Sequence, residues 1–265
     1  MNSEQLTTNN ESRIARAFKD KKAFIPFITG GDPDLETTEK VLYALAEAGA
    51  DMIEIGIPFS DPVAEGPVIE AADERALKAG CTVDKLFDLV IRVRANMQIP
   101  LCFMSYYNPI FAYGVDRFTG KCKTCGINGL IVPDLPFEER DELLNPCRAN
   151  GLELISLIAP TSEERIATIA KSSSGFLYCV SSLGVTGERS ELGGGVRRMV
   201  EQAKKVSDIP CAVGFGISTP GQAGETAEFA DGVIIGSAFV RLIAEHGRDC
   251  AEPVRQFAQA IRRQV

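Results

Sequence analysis

The segment Asp51-Met-Ile-Glu-Ile-Gly56 carries the alternation that decides the fold. Neighbouring side chains of a β-strand point to opposite faces, so Ile53 and Ile55 share one face. Met52 and Glu54 share the other. An apolar face suits contact with surrounding helices, and the opposite face of such a strand then points into the interior of a closed barrel. The segment is therefore predicted to be a barrel strand that directs a carboxylate inward.

Seven more short apolar segments alternate with amphipathic ones along the chain, which is the rhythm of a parallel sheet. The predicted strands are Ala23–Thr29, Asp51–Gly56, Leu101–Tyr106, Ile127–Val132, Leu152–Ile158, Gly175–Val180, Cys211–Phe215 and Asp231–Gly236. The predicted helices include Thr37–Ala48, Val83–Met97, Phe137–Arg148 and Ser162–Lys171.

The length supports a closed barrel. Dividing 265 residues among eight strands leaves about 33 residues for each unit, the size of one strand with its helix and loops. A doubly wound open sheet more usually has five or six strands. The prediction is an α/β fold, a single (β/α)8 TIM barrel over residues 1–265. We expect an extra N-terminal helix near Ser12–Lys19 and a short phosphate-site helix, Ser237–His246, after strand eight.

Composition and charge exclude several classes of protein. With 45% hydrophobic and 24% charged residues, the chain is typical of a globular protein and not of a disordered one. Its net charge of −8, without a cluster of basic residues, disfavours a nucleic-acid or anionic-membrane partner. No apolar run approaches the length of a membrane helix, and Met1–Lys22 lacks the features of a secretory signal. We therefore expect a cytoplasmic protein.

The eight cysteines lie mostly in apolar segments, which indicates reduced core residues. Cys122 and Cys125 form a C-x-x-C pair, but no second pair exists, and the only histidine, His246, is remote in sequence. This spacing on a helix favours a structural role over a zinc or redox site, so no metal is predicted.

Three carboxylates are expected at one rim of the barrel. Glu54 points into the apolar interior, where loss of solvation should raise its pKa toward neutrality and suit it to proton transfer. Asp61 and Glu65 follow in the loop Ile57–Pro67, which leaves the same strand. The simpler alternatives are a hydrogen-bonded structural carboxylate and a solvated acidic loop. Asp32-Pro33, after strand one, indicates only a turn before a helix.

Glycines mark the ends of the last strands. Gly184 and Gly187 follow strand six in the loop Ser181–Gly195, Gly214 and Gly216 follow strand seven, and Gly236-Ser237 follows strand eight. In eight-stranded barrels the loops after strands seven and eight, together with a short helix, bind phosphate through backbone N–H groups. Ordinary turn glycines are the alternative. Four aromatic residues near strand ends could line an apolar pocket beside this site: Phe27, Tyr106, Tyr178 and Phe215.

Six motifs, in this order and spacing, resemble the family of tryptophan synthase alpha subunits over nearly the whole chain. They are Pro26-Phe-Ile-Thr-Gly-Gly-Asp-Pro33, Glu54-Ile-Gly-Ile-Pro-Phe-Ser-Asp-Pro62, Tyr106-Tyr-Asn-Pro109, Gly184-Val-Thr-Gly187, Gly214-Phe-Gly-Ile-Ser218 and Gly236-Ser237. The resemblance implies a lyase that cleaves indole-3-glycerol phosphate to indole and glyceraldehyde 3-phosphate, without a cofactor of its own. It also implies a beta-subunit partner, which carries pyridoxal phosphate, in an alpha2-beta2 heterotetramer.

The same resemblance implies roles for individual residues. Glu54 matches the catalytic glutamate, and Tyr178 matches a tyrosine beside it. The other matches are Phe27 and Tyr106 with the indole pocket, Thr186 and Gly187 with the loop that closes over substrate, Phe215, Gly216, Gly236 and Ser237 with the phosphate region, and Asp61 with an aspartate that communicates with the partner subunit.

The chain departs from the family at one catalytic position. Glu65 stands where the family has an aspartate before Gly-Pro, so its carboxyl group lies one methylene further from the backbone. Three alternatives stay open beside the heterotetrameric lyase. They are another phosphate-binding barrel such as a sugar-phosphate isomerase, a stand-alone lyase that releases indole, and a weakly catalytic subunit that activates the beta subunit.

Overall fold

Eight parallel strands form a closed barrel in a computed structural model that describes residues 12–160, 163–180, 194–214 and 216–265. Each strand pairs with the next one in sequence, and the last pairs with the first, as predicted. The strands are β1 Ala23–Thr29, β2 Ile53–Gly56, β3 Leu101–Met104, β4 Gly129–Ile131, β5 Glu153–Ile158, β6 Leu177–Val180, β7 Cys211–Gly214 and β8 Gly232–Ile235.

Helices surround the strands. Within the described residues they are α1 Arg13–Ala17, α2 Leu35–Glu47, α3 Pro67–Lys78, α4 Val83–Arg94, α5 Tyr107–Tyr113, α6 Val115–Cys125, α7 Asp141–Ala149, α8 Glu163–Ser172, α9 Gly194–Lys204, α10 Pro220–Ala227, α11 Ser237–His246 and α12 Ala251–Arg262. Short 3-10 turns cover Phe137–Glu139 and Gly247–Asp249. None of the helices in these ranges has the length and apolar character needed to cross a membrane.

The apolar core has two layers, as the alternation in β2 predicts. Ile53 and Ile55 belong to the outer layer between strands and helices. Met52 belongs to the inner layer, inside the barrel. Glu54 is fully buried and stands between the two isoleucines, so the alternation of side chains places it on the inner face of the strand. This side-chain direction brings its carboxyl group into the barrel.

The predicted N-terminal helix is present as α1, at the amino ends of the strands. The Ser12 side chain accepts a hydrogen bond from the backbone N–H of Ala15 and caps the helix. Ile14 of α1 lies against Gly129 of β4, and Phe18 lies against Gly232 of β8, where an added Cβ atom would be within 3 Å of either side chain. The helix therefore closes the end of the barrel opposite the loops that follow the strands.

Several predicted boundaries need correction. The helix predicted over Val83–Met97 ends at Arg94, whose guanidinium group donates hydrogen bonds to the Ile99 and Gly126 carbonyl oxygens. The helix predicted over Phe137–Arg148 is a 3-10 turn followed by α7. The predicted helices did not include α3, which begins at Pro67, a residue whose fixed φ suits the first turn of a helix.

All eight cysteines are buried and unpaired, which confirms the structural interpretation. Cys122 and Cys125 lie on the buried face of α6, and burial raises the pKa of both thiols. Among the described residues, no group of three histidine, cysteine or acidic side chains comes together in a way that could hold a metal ion.

Candidate active site

Glu54 lies inside the barrel, on the second strand. It is paired in register with Phe27 of β1 and with Cys102 of β3. The side chain has no exposed surface, and neither carboxylate oxygen has a hydrogen-bond partner among the described residues. Burial raises the pKa of Glu54 to about 8. The carboxyl group is therefore close to its titration midpoint near neutral pH, as a group that both donates and accepts a proton requires.

Phe27 and Tyr178 occupy space left by glycines on neighbouring strands. A Cβ atom at Gly56, the last residue of β2, would lie 2.7 Å from the Phe27 ring. A Cβ atom at Gly214, the last residue of β7, would lie 2.7 Å from the Tyr178 ring and hydroxyl group. The pKa of Tyr178 is raised well above its usual value by burial and by the charges of Glu54 and Glu65. These two aromatic residues therefore lie beside the acids.

Tyr106 connects the loop after β2 to the barrel. Its ring packs against Phe59 with ring centroids 5.4 Å apart, and its hydroxyl oxygen accepts a hydrogen bond from the Ala64 N–H at 2.9 Å. Burial and the nearby Glu65 raise the pKa of the hydroxyl group, so Tyr106 stays protonated. The contacts hold the loop against the strand ends and place Tyr106 at one side of the pocket.

Glu65 is buried at the end of this loop, directly before α3. Only 7% of its surface is exposed, and Oε2 has no hydrogen-bond partner among the described residues. Its carboxyl group lies within hydrogen-bonding reach of that of Asp73 on α3. Burial and the charge of Asp73 raise the pKa of Glu65. Two predicted acids, Glu54 and Glu65, therefore both lie near Tyr178, and the charges of both raise its pKa.

Asp61 does not join the other two carboxylates. Its side chain is exposed and accepts a hydrogen bond from the Ser60 hydroxyl group at 2.5 Å. Of the three predicted rim acids, the structure therefore buries Glu54 and Glu65 and leaves Asp61 on the outer surface of the loop.

Two buried acids were missed as site residues. Asp73 occupies the buried face of α3 between Ala72 and Ala76, and an acid within such an apolar spacing is the signal that could have found it. Asp32 is 1% exposed and accepts two hydrogen bonds of 2.8 Å from the Arg75 guanidinium group. The segment predicted as a simple turn therefore contains a buried ion pair.

The expected phosphate region lies at the ends of β7 and β8. Gly216 has a φ of +79°, a conformation that favours glycine. Gly236 caps α11 at its N-terminus, and Ser237 is the first residue of that helix, whose predicted bounds are confirmed. A helix N-terminus presents free N–H groups that favour an anion. Phe215, also predicted for this region, and Thr186 and Gly187, predicted for the loop that closes over the substrate, lie outside the described residues.

Gly236 also contacts the aromatic side of the pocket. A Cβ atom there would lie 3.2 Å from the ring of Phe27, which already covers Gly56 on the other side. Phe27 therefore lies between the strand end that carries Glu54 and the N-terminus of α11. Across the barrel, Glu54 is followed by the ring of Phe27 and then by the N-terminus of α11.

A closed parallel barrel with buried acids where the strands end defines a (β/α)8-barrel enzyme, because barrels of this kind carry their active sites at that face. The chain belongs to the tryptophan synthase alpha chain family, whose model matches residues 14–264.

Known relatives match this chain over nearly their full length. The tryptophan synthase alpha chain of Lacticaseibacillus casei is 49% identical over 251 residues, which cover 95% of this chain and 94% of the relative. A structure of Mycobacterium tuberculosis tryptophan synthase has a TM-score of 0.88 at 35% identity and covers 96% of this chain and 98% of its own. The Pyrococcus furiosus tryptophan synthase a2b2 complex has a TM-score of 0.85 at 38% identity, with coverage of 91% and 98%.

Proposed function

We propose that the chain cleaves indole-3-glycerol phosphate to indole and glyceraldehyde 3-phosphate. The observation that carries this proposal is Glu54, a fully buried acid without a hydrogen-bond partner, whose burial raises its pKa to about 8. The reaction needs one group that gives a proton to a ring carbon and takes one from a hydroxyl group near neutral pH. Glu54 is suited to both steps.

The cleavage is a retro-aldol reaction. A proton added to ring carbon C3 makes it tetrahedral and places positive charge on the ring nitrogen. The bond from C3 to the side-chain carbon then breaks, its electrons return to the ring, and the side-chain hydroxyl group loses its proton as it becomes an aldehyde. Glu54 moves both protons, and Glu65 accepts a hydrogen bond from the ring N–H and stabilises the charge that develops there.

Binding residues surround these two acids. Phe27, Tyr106 and Tyr178 offer apolar faces to the indole ring. The phosphate group binds at Gly216, Gly236 and Ser237, where the α11 N-terminus offers N–H groups. From the resemblance alone, Phe215 contributes to the phosphate site, and Thr186 and Gly187 close over the substrate.

The proposed assembly is an alpha2-beta2 heterotetramer with a tryptophan synthase beta subunit. The Pyrococcus furiosus relative forms an a2b2 complex with mutual activation, which supports this inference. The exposed Asp61 is suited to communication with the partner. We further infer that this chain works in the cytoplasm and uses no cofactor of its own, with pyridoxal phosphate confined to the beta subunit.

The test is Glu54→Gln in the full chain. Glutamine keeps the size of the side chain but cannot exchange protons near neutral pH, so we expect indole release to fall at least about 10²-fold. Steady-state indole release is measured with and without purified beta subunit, and circular dichroism checks the fold. Glu74→Gln, an exposed substitution on α3, is the matched control. Substantial turnover by a folded Glu54→Gln variant would remove Glu54 from this role.

A further inference from the structure

Asp73 is a buried acid that the proposed reaction does not use. It lies on α3, eight residues beyond Glu65 in the sequence, and only 4% of its surface is exposed. Among the described residues, no ion pair joins Asp73 or Glu65 to a cation. Burying a carboxylate without a cation is costly, so its position between Ala72 and Ala76 calls for a specific contact.

That contact is with Glu65. The two carboxyl groups lie within hydrogen-bonding reach of each other, and the Phe59 N–H approaches Asp73 Oδ2 at 3.4 Å. Ionised carboxylates have only acceptor atoms, so two carboxyl groups can hydrogen-bond only when one of them holds a proton. A hydrogen bond between these two groups therefore requires the pair to hold at least one proton.

Other titratable groups around the pair do not supply a compensating positive charge. Some of these groups shift the pKa of Glu65 or Asp73 by their charge, and in others the pKa is shifted by the charge of Glu65 or Asp73. They are Asp32, Glu70, Cys81, Tyr106 and Tyr178. Asp32 is already bound to Arg75. Every one of the five is acidic or neutral, which favours retention of the shared proton.

We propose that Asp73 is a positioning residue that holds the carboxyl group of Glu65 through the shared proton. Glu65 Oε2, which is buried and has no hydrogen-bond partner among the described residues, is then available to accept the ring N–H of the substrate. The inference rests on the proposed role of Glu65. Glutamate has one more rotatable bond than aspartate, and contact with Asp73 restricts that freedom.

The proton count is unchanged when the substrate binds. An N–H donated to Glu65 stabilises its ionised form, so the shared proton moves to Asp73. Asp73 then donates a hydrogen bond to the carboxylate of Glu65. Glu65 thus meets the developing positive charge as a carboxylate, while the pair as a whole keeps one negative charge.

The first test measures the side-chain carboxyl ¹³C signals of Glu65 and Asp73 during a pH titration of the full chain without substrate. A pair that shares a proton gives two titration steps, which appear in the signals of both residues. In Asp73→Asn, the Glu65 signal should lose the upper step and titrate once. Independent single-step curves in the wild-type protein would overturn the proposal, even if the variant did not fold.

The second test compares kcat of two Asp73 variants, of which only one can still hydrogen-bond to Glu65. Asp73→Ala removes the partner of Glu65, and we expect kcat to fall about 10²-fold, the cost of a misplaced catalytic group. Asp73→Asn can still donate a hydrogen bond to Glu65 and should recover most of that loss. Glu74→Gln, the neighbouring exposed acid on α3, should change neither kcat nor the titration.

The two readouts distinguish this inference from the proposed function. The titration needs no substrate, so two coupled steps in a wild-type chain that cleaves nothing would count against the function and not against the pairing. Wild-type kcat in a folded Asp73→Ala variant, with Glu54→Gln inactive, would overturn the positioning role and leave the function in place.

Discussion

Glu54 shows how one residue combines a structural cost with a chemical use. A carboxyl group inside an apolar barrel loses its hydration, and in this chain no protein donor among the described residues replaces it. The group therefore keeps its proton to a pH near 8, whereas the same side chain in the unfolded chain ionises near its ordinary pKa of 4.5. The folded state binds the extra proton, so its stability depends on pH.

The residue-scale prediction concerns that dependence. Between pH 4.5 and about 8 the unfolded chain releases a proton that folded Glu54 retains, so the wild-type free energy of unfolding falls as the pH rises. Glutamine does not titrate, so Glu54→Gln lacks this pH dependence. Its free energy of unfolding should rise relative to that of the wild type by about 1.4 kcal/mol for each pH unit in the window. Urea unfolding at pH 5.5 and pH 7.5 measures the difference. An identical difference at both values would contradict a raised pKa.

Glycines at strand ends shape the site at the scale of the element. Alternation along the strands predicts which side chains face inward. Gly214 leaves room for the Tyr178 ring, and Gly56 leaves room for Phe27. The missing side chains let flat rings lie against neighbouring strands, beside Glu54.

The element-scale prediction is that Gly214→Ala disturbs this arrangement. Its Cβ atom would lie 2.7 Å from Tyr178, so the ring must move, and we expect a loss of about 1–3 kcal/mol in stability. Displacement of a binding residue should also lower kcat/KM about tenfold. Urea unfolding and steady-state kinetics measure the two effects.

Gly221→Ala is the matched control, because no heavy atom lies within 4 Å of the Cβ atom added to that helical residue. We expect it to keep wild-type kcat/KM and to be stabilised by up to about 1 kcal/mol, the usual gain for alanine in a helix. Equal kcat/KM for the two variants would show that Tyr178 tolerates the extra methyl group.

At the scale of the whole molecule, Asp51 links the first strand of the barrel to the last helix. Asp51, at the amino end of β2, accepts hydrogen bonds from the Phe24 N–H and from Arg262 of α12, each at 2.8 Å. It also forms an ion pair with Lys21. One carboxylate therefore links residues 211 positions apart, and we infer that the chain acts as one domain.

The whole-molecule prediction is that Asp51→Ala destabilises the barrel without affecting its chemistry. Loss of a nearly buried carboxylate leaves Arg262 and the Phe24 N–H without their partner, at a cost of about 3 kcal/mol. The site lies at the opposite end of the strands, so kcat of the folded variant should match the wild type. Chemical unfolding and indole release test both expectations.

Glu36→Gln removes an exposed ion pair with Lys40 on α2 and is the control for charge alone. Such a pair contributes less than about 1 kcal/mol, so the variant should remain close to the wild type. If the free energy of unfolding fell as much as in Asp51→Ala, general surface charge would set the stability, and not the contacts of Asp51 with β1 and α12.

Local pattern was enough to predict the barrel, the inward direction of Glu54 and the bounds of α11. Each of these depends on neighbours in sequence: alternation sets the face of a strand, and a run of helix-forming residues between glycines sets the length of a helix. The burial of all eight cysteines followed from the same apolar segments.

The tertiary structure alone decided which acids meet. Asp61 and Glu65 are four residues apart in one loop, yet one is exposed and the other is buried against Asp73 of the following helix. Asp32 reaches Arg75 across 43 positions of sequence. Such contacts depend on how α3 packs against the barrel, and a proton is shared only when packing brings two carboxyl groups together in a space that excludes water.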